Sequence, residues 1–131
     1  MLTKGFKDQE RKKLDQILQA GFRLEFVPEI WQQEERQHLD QIFKQALDTS
    51  LNEIETISTQ QMLAKFKELK LSFSNLEHLA DLLVKTIPVE PDRKGELARK
   101  AVAIYEFAQK DSQTFSLGLQ EKIDAAKKKI K

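Results

Sequence analysis

The sequence predicts an all-α protein, and three observations carry that reading. Apolar residues recur at helical spacing: Leu39, Ile42, Phe43, Ala46 and Leu47, at about 100° per residue, fall on one side of a helix. Four glycines and three prolines are all that interrupt 131 residues, and 33% charged against 40% hydrophobic is the balance of a folded helical chain, not a disordered one. Serine followed three residues later by Glu or Gln recurs at Ser50/Glu53, Ser58/Gln61 and Ser74/Glu77. In that spacing the two side chains reciprocally satisfy free N–H groups at a helix start. The expected architecture is a compact irregular helical bundle, a helical-hairpin array of about five to six helices. The length suits a single domain over 1–131, with 1–7 and 127–131 expected to fray.

The first helix is expected to begin near Asp8, with Leu14, Ile17 and Leu18 as its stripe. Gly21 either caps it in the left-handed region, leaving Phe22, Leu24 and Phe26 in an extended segment, or merely bends it. The helical reading, with a bend or break around Gly21, is preferred, because Leu14, Leu18, Phe22 and Phe26 follow an i+4 row and no second strand is there to pair an extended one. Pro28 suits the first turn of a central helix running to Leu47, since its missing N–H costs nothing there. Trp31 is expected to anchor that helix by packing against the first. Asp48-Thr49-Ser50 then interrupts it, because small polar side chains compete for backbone hydrogen bonds.

Short helices follow near 51–57, 59–69 and 75–87, the last with Leu76, Leu79, Ala80, Leu82, Leu83 and Ile87 as a wide stripe. Pro88 and Pro91 end it, and Asp92 is placed to cap the next. From Leu97 to Ala108 apolar residues face nearly every side, so this helix is expected to be the most buried. A last helix, Gln113 to about Ile130, has a narrower seam of Phe115, Leu119, Ile123, Ala126 and Ile130.

The formal charge is +1, so no global field draws nucleic acid or acidic lipid. Cysteine is absent, which excludes disulfides and thiolate metal sites. No stretch approaches ~18 uninterrupted apolar residues and the opening MLTKGFKDQERKK has no apolar signal core, so no membrane association and a cytoplasmic location are expected.

Ala101, Tyr105 and Ala108 stand at A-x3-Y-x2-A. This resembles the second helix of a tetratricopeptide repeat, where small residues let paired helices approach and the aromatic fills the gap between them. The resemblance covers about half of one repeat, with no ~34-residue period elsewhere. It implies tetratricopeptide-like helix pairing in the C-terminal half and suggests a partner-binding surface.

Chemical motifs are sparse. Glu35 and His38 form a single E-x-x-H, the spacing that lets a carboxylate and an imidazole meet one metal on a helix face, whereas di-iron bundles need it twice. Ser74, His78 and Asp81 contain the residue types of a hydrolytic triad but crowd one helix start. No glycine-rich phosphate loop, G-x-S-x-G or H-E-x-x-H occurs. Lysines cluster at both ends, Lys4, Lys7, Arg11, Lys12 and Lys13 and again from Lys122 to Lys131, interleaved with Asp8, Glu10, Glu121 and Asp124. The sequence thus points to a non-enzymatic helical interaction or scaffold domain, without cofactor, binding a protein partner or a second copy of itself. Trp31, Phe107 and Leu117 are the candidate contact residues. Alternatives are a small-molecule or metal-binding bundle around Glu35 and His38, and a nucleic-acid accessory protein using the terminal lysines, nucleic acid being the less expected partner.

Overall fold

The computed structural model describes the backbone of residues 2–113 and 115–130, and the side chains of that set from Lys12 onward apart from Gln33. Its described residues form α1 (Leu2–Gly21), α2 (Pro28–Ile30), a π-helical turn (Trp31–Glu35), α3 (Arg36–Leu47), α4 (Leu51–Thr56), α5 (Thr59–Leu69) and α6 (Phe73–Thr86). Two 3-10 turns, Ile87–Val89 and Pro91–Arg93, lead to α7 (Lys94–Ser112) and α8 (Leu117–Lys128). The protein is all-α, with no strand among the described residues. The short helices after Leu47 lie where the sequence places them, whereas the rod expected to run unbroken from Pro28 to Leu47 is divided by its π turn.

α6 and α7, the most extensively packed pair among the described helices, form the centre. The wide apolar stripe of α6 buries Leu76, Leu79, Ala80, Leu82 and Leu83, and α7 buries Leu97, Ala98, Ala101, Val102, Ile104, Tyr105 and Ala108 against it. α8 packs on α7 with Leu119, Ile123 and Ala126 buried, while α4 and α5 also pack on α7. α1 lies across both α3 and α6.

Two of the three expected serine starts hold. Ser58 makes the full reciprocal box with Gln61, and the Ser50 hydroxyl accepts the Glu53 N–H at 3.1 Å. The third is shifted by two residues: Ser72, not Ser74, caps α6, its hydroxyl accepting the Asn75 N–H while Asn75 Oδ1 accepts the Ser72 N–H. Asn75 does at the third helical position what Glu or Gln does in the usual box, and Ser74 is freed to donate to Asp15.

The helix breaks at Gly21, which ends α1, and residues 22–27 are not helical, which corrects the expected helical run through Phe22 and Phe26. No glycine among the described residues takes a positive φ, so the left-handed alternative is not realised either. Close approach is the reason for glycine here: a Cβ would lie 2.8 Å from Leu82 Cδ2, so its absence lets α1 close on α6. The left-handed caps belong instead to Asp48, Lys70 and Gln113, ending α3, α5 and α7, each at φ 56°.

Two expectations near the C-terminal half also change. Asp92 lies inside the second 3-10 turn, and Arg93 stands at the start of α7 without a side-chain cap. Phe115, expected on the α8 seam, precedes the helix and is 72% exposed, because Ser116 caps α8 by accepting the Leu119 N–H and sets its start at Leu117.

Candidate functional site

The densest polar arrangement surrounds the π turn. There the Arg36 N–H reaches the Trp31 carbonyl, a bond across five residues. In an α-helix, residues five apart point about 140° away from each other. The widened turn brings them back to nearly the same side, and three side chains consequently meet one oxygen. Trp31 Nε1 donates to Glu90 Oε2 at 2.5 Å, Gln32 Nε2 at 3.1 Å and Arg36 Nε at 3.1 Å. Glu90 is brought to this point by the two 3-10 turns that Pro88 and Pro91 initiate, its N–H held by the Thr86 and Ile87 carbonyls.

Arg36 is the hub. Its Nη2 donates to Glu55 Oε1 of α4 at 3.1 Å, and its Nη1 lies 3.6 Å from Asp40 Oδ2 one turn on. Asp40 Oδ1 in turn accepts the Leu51 N–H at 2.8 Å, so the carboxylate also helps to start α4. One guanidinium thus serves three carboxylates from three parts of the chain. Burial pushes the Glu55 carboxyl above the usual carboxylate range, with Arg36 opposing and Glu90 adding to the shift. Beside the hub, Lys100 of α7 is fully buried and donates to the Ile54 carbonyl at 2.7 Å while pairing with Glu96 at 2.9 Å.

Two smaller clusters occupy other faces of α6. Asp15 accepts from Ser74 Oγ and Asn75 Nδ2, each at 2.6 Å, and lies 3.2 Å from His78 Nδ1. Lys122 of α8 donates to Glu77 at 2.8 Å and to Asp81 at 3.0 Å, and the Tyr105 hydroxyl donates to the other Asp81 oxygen. Burial, then the bond to Asp81, pushes the Tyr105 phenol far up. An aromatic strip seals the loop after α1: Phe26 stacks on Trp31, Phe22 meets the His78 ring edge-on, and the Lys85 ammonium lies over both phenylalanines.

The residues singled out in the sequence fare unevenly. Glu35 Oε1 does lie 3.2 Å from His38 Nδ1, but the other Glu35 oxygen accepts the Glu25 N–H and His38 is exposed. No group of three or more His, Cys, Asp or Glu side chains is placed to hold a metal among the described residues. Ser74 and His78 meet Asp15, whereas Asp81 turns to Tyr105 and Lys122, so the three do not form a relay. Trp31 packs as an anchor, yet it is wholly enclosed between Phe26 and the Glu90 carboxylate and offers no surface for docking. Phe107 is half-buried, and Leu117 is 69% exposed. Lys4, Lys7, Arg11 and Lys131 lie outside the described side chains; Lys12, Lys13, Lys127 and Lys128 are exposed.

Sequence reasoning missed Asp40, Glu55, Glu90 and Lys100. Only Glu90 carries a local signal, its position between two prolines. The others look like surface residues: Asp40 is in fact half-buried, and Glu55 and Lys100 are buried by packing that nothing in their local sequence marks.

Chemically, the hub matches donors to carboxylates belonging to the protein itself, an arrangement that clamps helices together. The molecule is therefore a small all-α bundle knit across its core by buried ionic groups. No protein-family model, curated protein or solved structure matches the chain. No helix among the described residues is long and apolar enough to cross a membrane.

Proposed function

We propose that the chain is a non-enzymatic helical interaction or scaffold domain, acting in the cytoplasm, that docks a partner protein or a second copy of itself through the junction of α7 and α8. The observation that carries this reading is the exposure of Phe115 and Leu117, 72% and 69%, two residues apart where α8 begins. Large apolar side chains held together on a surface mark contact sites more often than scattered ones do. The close pairing of α6 with α7 and of α7 with α8, with Ala101, Tyr105 and Ala108 buried, supports a tetratricopeptide-like hairpin arrangement in this half. The polar side chains best suited to chemistry face one another across the core instead, which favours recognition over turnover.

The test places a photo-crosslinking residue at position 117, and separately at the exposed Gln41 as a control, with sedimentation to report self-association. A discrete adduct from position 117, lost with Phe115→Ser, is expected. Equal labelling from both positions together with a strict monomer would overturn the reading, and salt-sensitive binding of nucleic acid would replace it with the lysine-based alternative.

A further inference from the structure

The strongest unexplained feature lies in the Arg36 hub. Glu55 is 2% exposed, and its Oε2 is fully enclosed with no hydrogen-bond partner among the described residues. A buried charged oxygen without a donor is among the least favourable arrangements a core can hold. The charge around it makes matters worse. Three carboxylates, Asp40, Glu55 and Glu90, surround the single guanidinium of Arg36, and two of the three are buried. Arg93 of the second 3-10 turn adds attraction and Asp40 and Glu90 add repulsion. Lys100 of α7, bound to the carbonyl of Ile54 next to Glu55 in the chain, is taken by that carbonyl and Glu96.

A neutral carboxyl resolves this conflict. Oε1 goes on accepting from Arg36, while a proton on Oε2 replaces an orphan charge by an orphan hydroxyl, which costs far less to bury. The enclosure of Oε2 leaves no access for a larger ligand. We propose that Glu55 is a buried proton-binding site, and that release of its proton loosens α4 from the Arg36 hub. α4 is the element such a site can move: it has six residues, too few to persist alone, so its order depends on docking. Seen from Glu55, the charged neighbours are Arg36 and Asp40 on α3, Glu90 and Arg93 on the turns, and Lys100 on α7. The Arg36 guanidinium keeps its charge where carboxylates titrate, so Glu55, whose second oxygen has no partner, is the group that switches.

The linkage has a definite sign. With its proton affinity raised in the docked state, Glu55 favours docking fully at acid pH and loses that contribution as pH rises through its titration. The amide protection of α4, corrected for intrinsic exchange, is expected to fall about tenfold per pH unit between the ordinary carboxylate range and the Glu55 midpoint, and then to level off. The experiment combines that exchange profile with carbon-13 detection of the Glu55 carboxyl in the full chain. A Glu55 midpoint above the ordinary range, coinciding with the loss of α4 protection, is expected, and Glu55→Gln should flatten the profile. Glu90→Gln should lower the midpoint by removing a repelling charge. A midpoint in or below the ordinary range, or α4 protection that ignores pH, would overturn the proposal. The wild-type titration alone decides the matter if either variant fails to fold.

Discussion

Lys100→Met tests whether the buried amine holds α4 in place. Lys100 is wholly enclosed, and its Nζ donates at 2.7 Å to the carbonyl of Ile54. That carbonyl is near the end of α4, and the residue that would continue the helix, Ser58, gives its N–H to Gln61 Oε1. Methionine keeps the length and the apolar stem while leaving the Ile54 carbonyl buried and unpaired, at a cost of about 1–3 kcal/mol. The partner carboxylate, Glu96, is partly exposed, so losing that ion pair adds little. A net loss of about 2 kcal/mol follows, a fall in Tm of roughly 8 °C for a chain of this size. Urea unfolding followed by circular dichroism would read it. Glu96 supplies an independent check, because its hydrogen bond to Lys100 holds its carboxyl below the usual range. Such a group adds stability above the unfolded-state titration and loses it as pH falls through the folded one, so the wild type should weaken more than the variant in acid. A Lys100→Met protein as stable as the wild type would show that the amine's bonds do no more than offset its desolvation cost, and the clamp would be refuted.

Glu55→Gln should raise stability at neutral pH and leave it nearly unchanged in acid, because the wild-type carboxyl costs stability only once pH exceeds its unfolded-state value; thermal melts at two pH values check this. Ser72→Ala should cost about 1 kcal/mol and Ser74→Ala clearly less, since only Ser72 serves a helix start; equal losses in denaturant titration would contradict the observed frame. Phe115→Ser and Leu117→Ser should each leave stability within about 0.5 kcal/mol of the wild type, because neither side chain is packed, and Phe115→Ser should remove the adduct formed from the crosslinker at position 117.

The parts of the fold that depend on neighbours in sequence could be read from the sequence. The stripes of α3, α6 and α7 appear where periodicity places them, and Ser50 and Ser58 start helices as their spacing implies. The start of α6 was misplaced because Ser72 and Ser74 compete within one turn, and Asn75 is a reciprocating partner that the usual motif omits. Gly21 was ambiguous because its role is steric and involves Leu82, which lies 61 positions away. The same holds for the hub: Trp31 meets Glu90 across 59 positions and Lys100 meets Ile54 across 46, and nothing local marks Lys100 or Glu55 as interior. The π turn occurs where Trp31, Gln32 and Arg36 meet Glu90 across 54 to 59 positions, and helical periodicity, which carries no trace of those contacts, reads Pro28 to Leu47 as one uninterrupted rod.

A double-mutant cycle between Trp31→Phe and Glu90→Gln, measured by circular dichroism in denaturant, addresses the clamp across the core most directly. If the π turn and the paired 3-10 turns are joined through the indole N–H and the Glu90 carboxylate, the two substitutions should couple by about 1 kcal/mol. Additive losses would mean that Trp31 and Glu90 act independently and that the chain is held together in some other way.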